Sequence, residues 1–206
     1  MKRLFIAALL SAFIISCARS SPKVLLFVRD GSVDLEYMLK KEVAVMKDTL
    51  ERSGFKVVIA TFDGSNFSAG SARMKTDIKL ADVNVADYAG FILPCMAAGD
   101  SSDMKIPPES VALVRKAISA GKPVAAQTGS VWSLAEAGAL KGKKYASTAE
   151  QKTPNFSGAI YSGTGVVRDG LVLTSALCPY MARVRKVNDG TEQLALALVD
   201  AIKGKK

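Results

Sequence analysis

Apolar residues in this chain form short continuous runs separated by stretches with helical spacing. The continuous runs lie at residues 23–28, 56–61, 88–94 and 123–126. Apolar runs of four to eight residues bounded by turn-forming residues are typical of strands buried on both faces of a parallel sheet. We therefore predict four core strands at these positions.

Between these runs, apolar residues recur every three or four positions, as they do on one face of an α-helix. The clearest such face contains Leu35, Met38, Leu39, Val43, Met46 and Leu50. Further helices are predicted from Pro107 onwards, over residues 130–137 and over residues 190–203. Alternation of strands and helices predicts a doubly wound α/β sandwich with a mostly parallel central sheet, formed by one domain over residues 23–204.

Two segments carry weaker patterns. Residues 63–87 are polar and rich in glycine and serine, and they predict only a short strand near residues 78–80. Residues 143–174 are strand-like and interrupted by glycines, and their clearest strand is at 171–174. We expect these segments to surround the core rather than to form it.

The N-terminus has the pattern of a bacterial lipoprotein signal peptide. Lys2 and Arg3 precede an apolar stretch over residues 4–15, which is too short to span a bilayer comfortably. The stretch ends in Ile14-Ile15-Ser16-Cys17, which resembles a lipobox. We therefore predict a signal peptide over residues 1–16, a lipidated Cys17, and a tether over 17–22. Acyl chains would then anchor the protein in the bacterial cell envelope, in the periplasm or on the outer surface.

The chain is basic, with a formal net charge of +9 at pH 7. Removal of residues 1–16 takes away Lys2 and Arg3 and leaves +7. The lysines are scattered rather than interleaved with aromatic residues, so nucleic acid is not an expected partner. A nearby anionic membrane surface accounts for the charge.

The chain contains no histidine and three cysteines, Cys17, Cys95 and Cys178. The absence of histidine excludes Ser-His and Cys-His nucleophile pairs and histidine-ligated metals. Gly163-Thr164-Gly165 lacks the spacing of a phosphate-binding or dinucleotide-binding loop. We therefore expect neither a cofactor nor a metal ion.

Several segments, in order, resemble the DJ-1/ThiJ/PfpI superfamily, which is related to the class I glutamine amidotransferases. They are KVLLFVRDGSVDLE, ADYAGFILP, GKPVAAQTGSVWSLAEAGALKGKK, RDGLVLTS and DGTEQLALALVDAI. The resemblance implies a flavodoxin-like fold with its site at the carboxyl ends of the strands, where α/β topology in general also places a site. It also implies a homodimer, since members are commonly dimers.

In that superfamily, a cysteine on a sharp strand-to-helix turn is hydrogen-bonded to a glutamate near the first helix. By resemblance, Glu36 falls on the glutamate, Thr128 on the cysteine and Gly129 on the residue after it. Cys95 and Met96 fall on a Gly-Gly pair that supplies oxyanion-binding amides in the family. The glutamate is thus retained, whereas the nucleophile and the anion-binding loop are changed.

Thr128 has two interpretations, a substitute nucleophile or a polar residue without a catalytic role. A threonine hydroxyl needs a base, and Glu36 is the candidate that the resemblance offers. A β-branched residue at positive φ is costly. We therefore expect this turn to be relaxed, with Gly129 adopting the unusual dihedral angles.

The two remaining cysteines also leave alternatives open. Cys95 ends a strand at the predicted pocket rim, where it would serve as a relocated nucleophile beside Glu36. Cys178 follows the strand at residues 171–175 and begins what looks like an insertion in the last strand-to-helix loop. Exported proteins often pair their cysteines, so a Cys95–Cys178 disulfide and two inert buried thiols are the other interpretations.

Two classes of function follow. The first is a membrane-anchored, non-classical binding or stress-related domain, a pseudoenzyme with respect to the usual cysteine chemistry. The second is an enzyme of glyoxalase-like or deglycase-like type, which acts on small carbonyls or electrophiles through Cys95 and Glu36. A peptidase or amidase is a weaker alternative, because acyl transfer needs the missing nucleophile and amides.

Overall fold

A seven-stranded sheet forms the centre of the protein in the computed structural model, which describes residues 20–29, 34–95 and 106–204. The predicted lipidation site Cys17 and the predicted pocket residue Met96 lie outside the described residues. The strands are β1 (Lys23–Val28), β2 (Lys56–Thr61), β3 (Phe67–Ala69), β4 (Ala72–Met74), β5 (Ile78–Lys79), β6 (Gly90–Leu93), β7 (Val124–Gln127), β8 (Lys144–Tyr145), β9 (Ile160–Tyr161), β10 (Val166–Asp169) and β11 (Val172–Ser175).

The central sheet has the strand order β10-β11-β7-β6-β1-β2-β5. All of its pairs are parallel except β10–β11, which is antiparallel. The four predicted core strands are β1, β2, β6 and β7, so the prediction of a mostly parallel sheet is confirmed. Two small ribbons, β3–β4 and β8–β9, lie outside this sheet, and the sequence pattern did not predict the first of them.

Helices cover both faces of the sheet. They are α1 (Leu35–Met38), a π-helical turn (Leu39–Val43), α2 (Ala44–Arg52), α3 (Pro108–Ser119), α4 (Val131–Glu136), α5 (Pro179–Arg185) and α6 (Thr191–Ile202). α1, the π-helical turn and α2 follow one another without a break, as the apolar face over residues 35–50 predicts. α5 occupies the segment that the sequence indicated as an insertion.

Strand β1 shows how the two cores are separated. Alternate side chains of a strand point to opposite faces. Leu25 and Phe27 belong to the core that contains residues of α3 and α4, whereas Val24, Leu26 and Val28 belong to the core that contains residues of α2 and α6. All five are at least 96% buried. The continuous apolar run in the sequence reflects this burial on both faces.

The carboxyl ends of β11, β7, β6 and β1 lie side by side at one edge of the sheet, because these strands are parallel neighbours. The chain order reverses between β1 and β6, since β2 continues from β1 in one direction and β7 from β6 in the other. Such a reversal point is where α/β sheets form their clefts. Within the described residues, no helix is both long enough and apolar enough to cross a membrane.

Candidate active site

Three of the sequence-predicted site residues lie on neighbouring strand ends. Cys95 follows β6 after Pro94, Thr128 directly follows β7, and Cys178 follows β11 by three residues. Because β6, β7 and β11 are consecutive strands of the sheet, their ends bring these residues to one place. The predicted location of the site is therefore where these candidate residues meet.

Thr128 has a strained backbone conformation. Its φ is +48°, whereas Gly129 is not among the glycines with positive φ. The expectation of a relaxed turn with Gly129 in the unusual conformation is therefore wrong. For a residue with a Cβ, the left-handed region costs about 1–2 kcal/mol. The Thr128 hydroxyl offsets part of this cost by donating to the carbonyl oxygen of Ala176 at 3.1 Å.

Cys178 is buried in a small cluster with Met38 and Cys95. Its side chain is 1% exposed. The sulfur interacts with the thiol of Cys95, the backbone amides of Met181 and Tyr180, and the hydroxyl of Thr128, and these contacts lower the pKa of the Cys178 thiol to about 6. Hydrogen bonds to a sulfur stabilise its anionic form. The Cys178 thiol is therefore more acidic than an ordinary cysteine thiol.

Cys95 is the protonated member of the pair. Its hydrogen bond to Cys178, together with burial, raises the pKa of the Cys95 thiol well above its ordinary value. Both cysteines are free in the structure. Cys178 is thus the more acidic thiol of the two, and the roles of Cys95 as a nucleophile or as a disulfide partner stay predictions.

Glu42 is the carboxyl group at this site. It belongs to the π-helical turn, is 1% exposed, and its Oε1 accepts a hydrogen bond from the Cys95 backbone amide at 2.8 Å. Burial, with the nearby charge of Cys178 as the next cause, raises the pKa of Glu42 well above its ordinary value. Single π-turns within α-helices occur frequently at functional sites. Burial at this position therefore favours the protonated form of the Glu42 carboxyl group.

Glu36, the glutamate that the resemblance indicated, makes different contacts. Its Oε1 accepts hydrogen bonds from the Lys40 ammonium at 2.6 Å and from the Ser71 amide and hydroxyl at 3.0 and 2.7 Å. These bonds lower the pKa of Glu36 to about 2. Gly70 in the β3–β4 turn has a φ of +54°, a left-handed conformation that favours glycine, and a Cβ there would displace the Glu36 carboxylate. Glu36 thus ties α1 to this turn as a permanent anion.

Helix α5, which carries the donors to Cys178, is attached to α1 through Arg183. The Arg183 guanidinium donates to Asp34 Oδ2 at 2.8 Å and lies 4.1 Å from the ring centre of Tyr37. It also lies 5.4 Å from the ring centre of Tyr180. Guanidinium groups combine ion pairing with stacking on aromatic faces. Arg183 thereby holds the inserted helix over the site.

A small pocket opens next to the cysteine pair, at the reversal point of the sheet. Its lining includes Val28, Arg29, Met38, Glu42 and Cys95. The site therefore offers a thiolate, a second thiol, a neutral acid and a hydroxyl, which together suit nucleophilic chemistry with proton transfer. No group of three histidine, cysteine or acidic residues in the described part of the chain is arranged to hold a metal ion.

Sequence reasoning missed Glu42, although a signal for it exists. Glu42 lies four residues after Met38 and three after Leu39, so it falls within the apolar helix face rather than opposite to it. A carboxylate in an apolar stripe is expected to be either paired or neutral when buried. The position of Glu42 along the helix therefore indicates a functional candidate.

Comparisons with known proteins agree with this architecture. Residues 22–184 match the sequence model of the DJ-1/PfpI family. A protein of Archaeoglobus fulgidus described as uncharacterized is 34% identical over 107 residues, which cover 51% of this chain and 62% of that protein. Thus the chain matches less than two thirds of that relative's length.

Two solved structures show the same fold. Drosophila melanogaster DJ-1beta superposes with a TM-score of 0.63 and 25% identity, covering 90% of this chain and 92% of that one. A ThiJ/PfpI domain protein from Brachyspira murdochii has a TM-score of 0.63 and 15% identity, covering 91% and 98%. The overlap extends over nearly the whole of each neighbour, so the central sheet and its covering helices are shared.

Proposed function

The chain belongs to the DJ-1/PfpI family, and from this premise we propose that it acts on small electrophiles, with carbonyl compounds as substrates, through the thiol of Cys178. Thr128 then occupies the position of the family's cysteine, and the reactive thiol has moved to the loop after β11. The observation that carries the proposal is the position of Cys178 in one buried cluster with Cys95, where the Met181 and Tyr180 amides, the Thr128 side chain and Cys95 lower the pKa of its thiol.

The proposed reaction begins with attack of the Cys178 thiolate on the carbonyl carbon. A sulfur–carbon bond forms, and the carbonyl electron pair moves onto oxygen. That oxygen takes a proton from the carboxyl group of Glu42, which gives a neutral hemithioacetal. Glu42 suits this step because burial keeps its carboxyl group protonated at neutral pH. The pair Cys178–Glu42 thus replaces the pair Cys95–Glu36 of the sequence-based hypothesis.

A second candidate function is a binding or stress-related domain without cysteine chemistry. The burial of both thiols favours it, since Cys178 is 1% exposed and Cys95 is 9% exposed. A substrate must therefore be small to reach either sulfur. This candidate predicts that the two cysteines contribute to packing alone.

We also propose that the mature protein is anchored to a membrane of the cell envelope through lipid on Cys17. The support is the sequence pattern over residues 1–17, together with the basic net charge. Association as a homodimer remains a prediction from the family resemblance.

Turnover of methylglyoxal by the purified protein tests the proposed reaction. We expect Cys178→Ser to reduce turnover to the background rate, and Glu42→Gln to lower it about 100-fold, the effect of removing a general acid. Glu51→Gln, which alters an exposed carboxylate paired with Lys47 on α2, serves as the folding-matched control.

The variant Glu36→Gln distinguishes the reaction through Cys178 and Glu42 from the sequence-based alternative through Cys95 and Glu36. Retained turnover in Glu36→Gln, with loss in Cys178→Ser, supports the assignment to Cys178 and Glu42. If turnover instead disappears with Glu36→Gln and survives in Cys178→Ser, the assignment is wrong. Absence of turnover in the wild-type protein favours the binding domain.

A further inference from the structure

The carbonyl reaction leaves Cys95 without a covalent role, although its thiol contacts the reactive sulfur. We propose that Cys178 and Cys95 form a two-cysteine site that reduces hydroperoxides, in which Cys178 is oxidised first and Cys95 then closes a disulfide with it. This inference rests on the proposed function only in its use of Cys178 as the nucleophile.

The two cysteines already pack together. Both side chains belong to one buried cluster with Met38, and their interaction raises the pKa of the Cys95 thiol and lowers that of Cys178. A disulfide needs the two sulfurs to come within about 2.05 Å of each other, which is a small approach for side chains that are packed together. Any oxidised form of Cys178 is therefore generated beside a thiol that is able to attack it.

The burial of the two cysteines limits which oxidants can reach them. Thiol–disulfide exchange with another protein requires that protein's disulfide to approach the attacking sulfur in line, through a mixed-disulfide intermediate. Cys178 is too deeply buried for such an approach, with 1% of its surface exposed. The adjoining pocket is lined by Cys95 and Glu42 and is small. Hydrogen peroxide and small alkyl hydroperoxides are oxidants of a size that fits this access.

Protons are divided unequally between the two cysteines. Thiolates, not thiols, attack the peroxide oxygen, and Cys178 is the anionic member of the pair. Cys95 retains its proton, which it gives up when it attacks the oxidised sulfur. The two cysteines are thus differentiated into an attacking and a resolving residue before any oxidant binds.

Atoms and electrons balance over two steps. The Cys178 thiolate bonds to one peroxide oxygen, the O–O bond breaks, and the departing alkoxide or hydroxide takes one proton. The product is a sulfenic acid on Cys178 and an alcohol or water. Cys95 sulfur then bonds to Cys178 sulfur, the S–O bond breaks, and the hydroxide leaves as water with the Cys95 proton. The cysteine pair loses two electrons and the peroxide gains them; a dithiol reductant restores the pair.

The test treats the reduced full chain with one equivalent of hydrogen peroxide, followed by denaturation, alkylation and tryptic mass mapping. Cleavage after lysine and arginine places Cys95 in residues 80–105, Cys178 in residues 169–183 and Cys17 in residues 4–19, so each thiol is scored separately. In the wild type we expect a disulfide-linked pair of the first two peptides, which dithiothreitol separates.

Two variants make the order of events visible. Cys95→Ser is expected to stop at a sulfenic acid on Cys178 that dimedone traps, and to be overoxidised to sulfinic acid by excess peroxide. Cys178→Ser is expected to leave Cys95 reduced and to lose peroxide consumption. Melting temperatures and far-ultraviolet circular dichroism of both variants establish that they fold, and Cys95→Ala replaces Cys95→Ser if the latter does not.

The proposal is overturned if the wild type yields no linked peptides and the same Cys178 product as Cys95→Ser. It is equally overturned if Cys95 is oxidised at the wild-type rate in Cys178→Ser. Methylglyoxal turnover measured on the same samples separates the two hypotheses. Turnover by the wild type without any disulfide in the same sample rejects the peroxide reaction and leaves the carbonyl reaction standing.

Discussion

The chemistry of this site depends on how readily Cys178 loses its proton and how firmly Glu42 keeps its own. The pKa of Cys178 is lowered by its interactions with Cys95, nearby backbone amides and Thr128, whereas the pKa of Glu42 is raised because burial disfavours the carboxylate. The charges of the two groups are linked, since an anionic Cys178 opposes ionisation of Glu42. The same environment therefore produces a nucleophile and an acid next to each other.

The pH dependence of stability tests the proton on Glu42. Above its ordinary pKa of 4.5, unfolded Glu42 is ionised while folded Glu42 binds a proton. The native state then binds more protons, so the free energy of unfolding falls with rising pH until the raised folded pKa is reached. Relative to wild type, Glu42→Gln is expected to gain about 1.4 kcal/mol per pH unit in this window.

Urea denaturation at pH 5, 6 and 7 measures this difference. The side-chain amide introduced by Glu42→Gln keeps an oxygen that accepts from the Cys95 backbone amide, so packing is matched. Cys178, whose lowered pKa contributes the opposite slope above pH 6, and Asp189, whose charge also faces Glu42, are present in both proteins. Parallel stability profiles for wild type and Glu42→Gln would show that Glu42 is ionised in the folded protein.

Two elements shape the site, and both depart from regular structure. The π-helical turn at Leu39–Val43 lies within an otherwise α-helical stretch and carries Glu42 into the interior. The inserted helix α5 carries the amides that donate to Cys178, and it is attached by Arg183 to α1. The site therefore depends on a local change of helical pitch and on an added helix.

Removal of the Arg183 side chain tests the attachment of α5. We expect Arg183→Ala to accelerate alkylation of Cys178 by iodoacetamide at least about two- to fivefold, the effect of losing one exposed cation–π contact, because it removes the contacts with Tyr37 and Tyr180 and the ion pair with Asp34. The alkylation rate of Arg183→Lys is expected to lie between those of wild type and Arg183→Ala. Lysine keeps the charge opposite Asp34 but cannot stack flat on Tyr37. Arg185→Ala removes an exposed cation from the same helix and is the control.

Hydrogen exchange of the α5 amides provides a second measurement of the same attachment. The amides of Ala182 and Val187 bond to the carbonyls of Cys178 and Ala182, and both bonds are expected to open more often in Arg183→Ala. Equal exchange and alkylation in Arg183→Ala and Arg185→Ala would mean that packing around Met181 and Tyr180 holds the helix by itself.

At the scale of the whole molecule, the parallel sheet gathers residues that are far apart in sequence. Cys95 and Cys178 are separated by 83 positions, yet the adjacent ends of β6, β7 and β11 bring them together. The N-terminal segment that would tie this domain to a membrane lies before β1. Anchoring and catalysis are therefore expected to be separable properties.

Substitution of the predicted lipidation site tests the anchor. Cys17→Ser is expected to remove the acyl chains from the protein and to shift it from the membrane fraction to the soluble envelope fraction, since a diacylglycerol supplies most of the binding energy. Mass spectrometry of the N-terminal peptide and fractionation measure the two effects. Cys95→Ser, which leaves the lipobox intact, is expected to stay in the membrane fraction; an unchanged distribution of Cys17→Ser would contradict the lipid anchor.

The sequence by itself determined the order of the main strands and helices, because continuous apolar runs and helical periodicity follow directly from burial on two faces or one. It also identified Cys95 and Cys178 as candidates, since each follows a predicted strand, and the family resemblance added Thr128. The absence of histidine limits the possible chemistry at the level of composition alone, because it removes the commonest general base.

Only the tertiary structure decided the roles of these residues. Hydrogen bonds between residues distant in sequence made Cys178 the thiolate and Cys95 the thiol, and neither proton state follows from a pattern of side chains. Contact with Ala176 keeps Thr128 in the strained conformation that its local preference opposes. Packing of the helix face buries Glu42 at the site, where it accepts from the Cys95 amide, while Lys40 and Ser71 hold Glu36 in other contacts. Burial and long-range contacts set proton positions, and those depend on the folded chain.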